Sequence, residues 1–455
     1  MKPVEPAENP NPRLVVDPPA PMRWLMSRRM SNSANAARIA KQRQTAEAAR
    51  QKAGAPHVVN YFHQLDDPYS HLAAQVLARF AERYDVKIVP HLIHASGGKN
   101  QPELEKLAKW AHTDAGLIAP HYGLTFPGDS PIVPETDMLN TAAEGLVGLD
   151  PADFIAKIAT VSTALWSGDK PGLAQSNTAP ASHEATLQAL EDGSTTLKDM
   201  GHYSGAMFHY GGEWYWGVDR LFHLEQRLRD LGAHKGDKDA PYIVTRPPED
   251  VSNIDASALT LDFYPSLNSP YTSIIFDRTI ALKNACGIKF NHKPVLPMIM
   301  RGVPITNAKG SYILFDTKRE ADWFNVPFGP ICTPLGEPTR NAYSLLAMAK
   351  ENGRDEEFMS AALSLAFAQG VNLLKDKGMR QAVEAAGLDW AEAKKIIGND
   401  GWKDVVARHQ DEMVEGMGLW GVPSFKISGG GAPDVAVWGQ DRLWLIAAEI
   451  RQRTS

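Results

Sequence analysis

The chain has 455 residues, 43% of them hydrophobic and 22% charged, with a formal charge of −6. That is the ordinary composition of a soluble protein, neither disordered nor membrane-embedded, and the length exceeds what one hydrophobic core usually organises. No basic block stands out in the folded-looking part, which argues against a nucleic-acid partner, and no run approaches the ~20 apolar residues of a membrane span.

Residues 1–56 read as an amino-terminal arm. Residues 1–22 are rich in Pro, Asn and Glu and are expected to be extended; from Met22 to about Gln51 the sequence turns Arg- and Ala-rich and favours a helix by propensity. This helix is expected to clamp the body of the protein, or a neighbour in a homo-oligomer; a contact through its basic face with a membrane or partner is the other reading. The opening MKPVEPAENPNP lacks the basic-then-apolar order of a secretory signal, so a cytoplasmic location is the default expectation.

The body begins with HVVNYFH at 57–63, a β-prone apolar run. Asp67–Pro68 then makes a good helix start, because aspartate caps free amides and proline suits the first turn. DVKIVPHLI at 85–93 reads as a second strand, giving a βαβ opening. A mainly helical region follows to about 200, then two short β-prone runs parted by Gly211–Gly212, and a helix from near Asp219. Residues 232–258 resemble a linker by Gly, Pro and charge content.

The same order then restarts. LTLDFYP is a strand, SPYTSIIFDRTIALKNA a helix and IKFNHKPVLP a strand; a long helical section runs to about 417, and a hairpin and helix close the chain. L-D-D-P-Y at 65–69 answers L-N-S-P-Y at 267–271, and W-G-V-D-R-L at 216–221 answers W-G-Q-D-R-L at 438–443. This is the pattern of an internal repeat. The element order predicts an α/β protein of tandem thioredoxin-like domains, each with a helical insertion, over 57–231 and 259–451.

Chemistry is expected at three points of the second unit. A strand delivers Ser269 to a helix start, where its hydroxyl can cap an amide or donate to an anion favoured by the helix field. Val422–Pro423 precedes a hairpin strand; a cis bond there would free the Val422 backbone to pair with an extended peptide, and the sequence leaves cis and trans open. Gln440 and Asp441 open the closing helix, Asp441 as a cap or as an acceptor for an ammonium group. Cys286 and Cys332, the only cysteines, are too far apart in sequence for a CxxC pair or a four-thiolate zinc site, and no metal is expected.

The motifs N-S-P-Y at 268–271, G-V-P-S-F at 421–425 and W-G-Q-D-R-L at 438–443 resemble the thioredoxin-like branch that contains 2-hydroxychromene-2-carboxylate isomerase, kappa-class glutathione transferase and DsbA-type oxidoreductases. The resemblance implies glutathione as cofactor, its sulfur at Ser269, its backbone at Val422 and Pro423, and its γ-glutamyl end at Gln440 and Asp441. Lys309, with Asp316 and Arg319, is a further candidate for the cofactor carboxylates or an acidic substrate, and the Pro-rich stretch 324–334 for a pocket wall. DsbA-type enzymes carry CxxC where this chain has N-S-P-Y, which argues against disulfide exchange by its own cysteines. In the first unit Asp67 stands for Ser269 and Gly205–Ala206 for Val422–Pro423, so a structural role is expected there, with Asp67 as a general base the alternative. The implied activity is a glutathione-dependent isomerase or transferase on a small, aromatic electrophile; a non-catalytic binding or assembly protein is the rival.

Overall fold

A computed structural model describes residues 3–95 and 97–454. Two compact units divide the chain: one runs from Ala40 to Arg246, and the other joins the segment up to Ile39 with everything from Pro247 on. They are called the first and second unit below.

The arm is helical for most of its length: α1 (Arg13–Val16), α2 (Ala20–Ser33) and α3 (Ala36–Lys52). The single helix expected over 22–51 is therefore two, interrupted at Ala34–Asn35, and the segment expected to be extended contains α1. Neither α2 nor α3 has an apolar stripe. The side chains α2 buries are Arg23 and Ser27, which hydrogen-bond to the second unit: Arg23 Nη1 donates to the carbonyls of Thr333 and Leu335, and Ser27 Oγ accepts from Thr333 N–H. Farther forward, Arg340 forks onto Glu5 and Asp17.

In the first unit β1 (His57–Gln64) leads into α4 (Pro68–Arg83), and β2 (Val86–Ile93) returns parallel to β1. The helical insertion is α5 (Leu104–Ile118), α6 (Thr136–Leu146), α7 (Pro151–Trp166), α8 (Lys170–Ser176) and α9 (His183–Asp199). The hairpin β3 (Met207–Tyr210) and β4 (Glu213–Trp216) and then α10 (Leu221–Asp230) complete the unit. The insertion closes onto the sheet at Gly193, where a Cβ would lie 2.0 Å from the Leu92 carbonyl oxygen, so only glycine lets α9 approach β2 so closely.

The second unit repeats this order with β5 (Thr260–Tyr264), α11 (Pro270–Cys286) and β6 (Lys289–His292). Its insertion is α12 (Asn307–Trp323), α13 (Glu337–Tyr343), α14 (Leu346–Glu351), α15 (Asp355–Phe367), α16 (Asp376–Ala385), α17 (Trp390–Ile396) and α18 (Lys403–Asp411). The hairpin β7 (Ser424–Gly429) and β8 (Ala432–Trp438) and then α19 (Leu443–Thr454) close it.

Both sheets are mixed and four-stranded, with orders β2-β1-β3-β4 and β6-β5-β7-β8. The central strand is flanked on both sides, so it buries nearly every side chain. Tyr61 opposite Phe208 and Phe263 opposite Phe425 occupy the same register, with ring centroids 4.8 and 4.9 Å apart. All four rings are fully buried, each contributing about 1.5–3 kcal/mol by leaving water. Both first helices are set by the same local device: Asp67 and Ser269 hold β-region backbone, each caps the following amides, and a proline takes the first helical position. Gly287, at φ 66°, ends α11. Among the described residues no helix is long and apolar enough to cross a membrane.

Candidate functional site

In the second unit the candidate residues meet through a circuit of hydrogen bonds. Ser269 Oγ accepts from Thr272 N–H at 3.1 Å and donates to the Val422 carbonyl at 3.5 Å. The Val422–Pro423 bond is cis, and the Pro423 carbonyl accepts from Gly439 N–H at 3.0 Å. Next to Gly439, Gln440 donates through Nε2 to Glu320 on α12 at 2.7 Å. One turn back along α12, Asp316 accepts from the Tyr271 hydroxyl at 2.8 Å, which returns the circuit to the start of α11. Gly421 completes the turn before Pro423: a Cβ there would fall 1.7 Å from the Trp438 ring.

The circuit brings together Ser269, Val422, Pro423 and Gln440. Ser269 is 6% exposed and its oxygen is engaged in both directions, so the cap and the donor roles coexist. Gln440 is buried and its Oε1 has no partner, leaving one acceptor uncommitted. Asp441 lies beside the Arg442 guanidinium, 3.6 Å away. Asp316 is fully buried, held by Tyr271 and Arg319, so neither Asp316 nor Arg319 stands ready for an acidic ligand as the sequence suggested. Lys309 lies two turns before Asp316 on α12; it is half-buried, no partner for its ammonium is found among the described residues, and burial lowers its pKa. The Pro-rich stretch reaches the site's flank, where the Thr333 hydroxyl donates to the Asn268 side chain at 3.0 Å. Both cysteines are free thiols whose pKa burial raises, the opposite of an activated thiolate.

The first unit preserves the frame and changes the chemistry. Tyr69 donates to the buried Asp114 at 2.8 Å, and both tyrosine–aspartate pairs are separated by 45 residues. Sequence reasoning missed these pairs; the equal spacing was the available signal. Gly217 N–H bonds the Ala206 carbonyl as Gly439 bonds Pro423, and Ala206, in place of the proline, sits at φ 55°. Asp67 Oδ1 accepts from Tyr69 N–H, and Oδ2 from the Ser70 amide and hydroxyl. Burial outweighs these bonds and pushes its pKa up to about 6. Gly205 leaves space that a side chain would fill, since its Cβ would meet Asp67 Oδ2 at 2.9 Å.

Residues 260–451 match the family model of the DSBA-like thioredoxin domain, which places that stretch in the thioredoxin-like, DsbA-type superfamily. A search of curated proteins finds no match. Among solved structures the chain is similar to a 2-hydroxychromene-2-carboxylate isomerase at 14% identity, covering 42% of this chain and 95% of that one, with a TM-score of 0.35. It is also similar to a probable DsbA oxidoreductase from Streptomyces coelicolor (17% identity, 43% and 89% covered, TM-score 0.35). A third, the cytosolic disulfide reductase DsbM from Pseudomonas aeruginosa, shows 15% identity, 43% and 100% coverage and a TM-score of 0.29.

Proposed function

We propose that the protein is a glutathione-dependent isomerase or transferase acting on a small aromatic electrophile, with its thiol site at Ser269 in the second unit and the first unit a diverged copy. The observation that carries this reading is the Ser269 hydroxyl at the start of α11, 3.5 Å from the Val422 carbonyl in the turn before β7. Glutathione would supply a thiol whose anion adds reversibly to a conjugated electrophile.

The residues present suit such a guest. Ser269 can turn its proton from the Val422 carbonyl, held by a long bond, toward a thiolate, while the free amides of the first turn of α11 favour the same charge. The unpartnered Lys309 ammonium suits a carboxylate. The orphan Gln440 Oε1 suits an N–H donor at the γ-glutamyl end, with the Val422 backbone beside the peptide. The cysteines take no part, since both are shielded thiols.

The test is a pH titration of thiolate absorbance with glutathione bound to wild type, S269A and D67A. S269A is expected to raise the thiol pKa by an amount worth roughly 1.5–3 kcal/mol, about ten- to hundred-fold in thiolate population, while much of the binding survives. A shift in D67A with none in S269A moves the site to the first unit. Absence of calorimetric glutathione binding to the wild type favours the rival, a non-catalytic assembly protein, a reading supported by the engagement of Gln440 with Glu320.

A further inference from the structure

The first unit encloses a cavity of about 250 Å³ between the start of α4, the end of β1 and the face of α5. Leu107, Ala108 and Ala111 form one wall and Trp216 stands opposite; Leu104 and Val133, 45% and 47% exposed, border its mouth. Among the described residues lining it there are three carboxylates, Asp66, Asp67 and Glu105, and no Lys, Arg or His. Asp67 is half-buried in this lining. Gln64 joins it there, 8% exposed, with an Oε1 that has no hydrogen-bond partner. A buried amide oxygen without a partner costs about 1–3 kcal/mol, a penalty that a donor arriving in the cavity would relieve.

Two acceptors and no cation on an apolar wall define a guest: it carries N–H donors, a positive charge and a hydrophobic body. We propose that the first unit binds a small organic ammonium ion, an amine on an aromatic ring or short chain, with its N–H groups on Asp67 and the Gln64 side-chain oxygen. Trp216, already edge-on to Tyr69 at 5.4 Å, offers a π face to the cation. Gly205 keeps the space above the carboxylate open, because a Cβ there would crowd Asp67 Oδ2 and meet the Gln64 Cβ at 2.7 Å. The inference does not rest on the glutathione reading: its residues, charge and guest are different.

Calorimetric titration of the full chain with benzylamine and phenethylamine, against the neutral benzyl alcohol, tests it. At pH 7.5 the amines are expected to bind at least tenfold more tightly than the alcohol. Asp67→Asn, which keeps a capping side chain, should weaken the amines at least tenfold and leave the alcohol unchanged. Ala108→Leu should weaken all three by filling space, and Ser269→Ala should alter none. Affinity for the amines should fall as the pH drops to 5; the groups facing Asp67 are Asp66, Tyr69 and Tyr61, with Glu105 and Asp114 on α5, and none of them adds positive charge. Should Asp67→Asn fail to fold, Gln64→Leu gives the same comparison. Equal binding of amine and alcohol, unaltered amine binding in the folded variant, or no amine binding to the wild type would each overturn the proposal.

Discussion

The two units share a frame and differ at the positions that would meet a ligand. Both carry the β2-β1-β3-β4 type of sheet, a capped proline at the first helix and a buried tyrosine–aspartate bond 45 residues apart. At the cap, however, one has a carboxyl where the other has a hydroxyl. Counting two turns back from Asp114 and Asp316, Leu107 in one unit stands where the other has Lys309. The polarity of the site is inverted: the first unit presents acid against an apolar wall, the second a hydroxyl with an unpaired ammonium on the facing helix. A fold whose hydrogen-bonded frame is independent of these few side chains can exchange an anion-binding site for a cation-binding one without rebuilding its core.

The strongest test of the comparison lies in its glycines. Gly421→Ala forces a methyl into Trp438, and Gly193→Ala forces one into the Leu92 carbonyl. Each is expected to destabilise its own unit by roughly 2–4 kcal/mol, the range of a close-packed overlap relieved by backbone shift. Hydrogen exchange should lose protection around β7 and β8 in the former and around β2 and α9 in the latter; equal loss in both units would break the two-unit description.

Next in size, removing the hydroxyl in Tyr69→Phe or Tyr271→Phe leaves a buried carboxylate short of a donor. Each is expected to cost about 1–3 kcal/mol in urea unfolding. Similar costs would sharpen the correspondence; a neutral result in one unit would show that its aspartate is satisfied elsewhere.

Acidity separates the units further. The carboxyl of Asp67 has its folded pKa raised to about 6, above its unfolded value, so the folded state holds the proton more tightly. Its stabilising effect is fully present below a pH of about 4 and is lost as pH rises through 6. Relative to D67N, the wild type should therefore be less stable at pH 7.5 than at pH 4.5, by about 1–2 kcal/mol given its partial exposure. Chemical denaturation at the two pH values measures this, and the opposite sign would show that the caps from Tyr69 and Ser70 outweigh burial.

The smallest effect is expected in the arm. Arg340→Met removes the fork to Glu5 and Asp17 on a quarter-exposed surface, at a cost of about 1 kcal/mol or less. Proteolysis should then cut sooner within residues 3–17, with α11 and β7 unaffected.

Much of the fold was legible because its determinants are local. Asp67–Pro68, Ser269–Pro270 and Gly211–Gly212 dictate helix starts and a hairpin turn whatever surrounds them, and the echoes at 216–221 and 438–443 placed the closing helices. The arm was harder to read because α2 docks through Arg23 and Ser27, polar residues that leave no hydrophobic period, and its break at Ala34–Asn35 lacks a proline. At the candidate site, the turn at Val422–Pro423 could be located by residue type, whereas Asp316 read as a surface charge because its partner Tyr271 is remote in sequence. Gln64 gave no signal at all: a glutamine at a strand end is ordinary until the space beside it is known.

The docking of the arm also bears on the order in which the chain is made. Val4 gives its carbonyl to Gln410, 406 residues later, and Glu5 pairs with Arg340, 335 residues later. At ~5–20 residues per second, the arm would leave the ribosome roughly 20–80 s before Gln410 exists. The intervening α/β unit has all its strands by then and can fold while the arm is still without its seat. Nascent chains stalled before residue 340 should therefore expose the arm to protease beside an already protected first unit, and only chains extended past 410 should bury it.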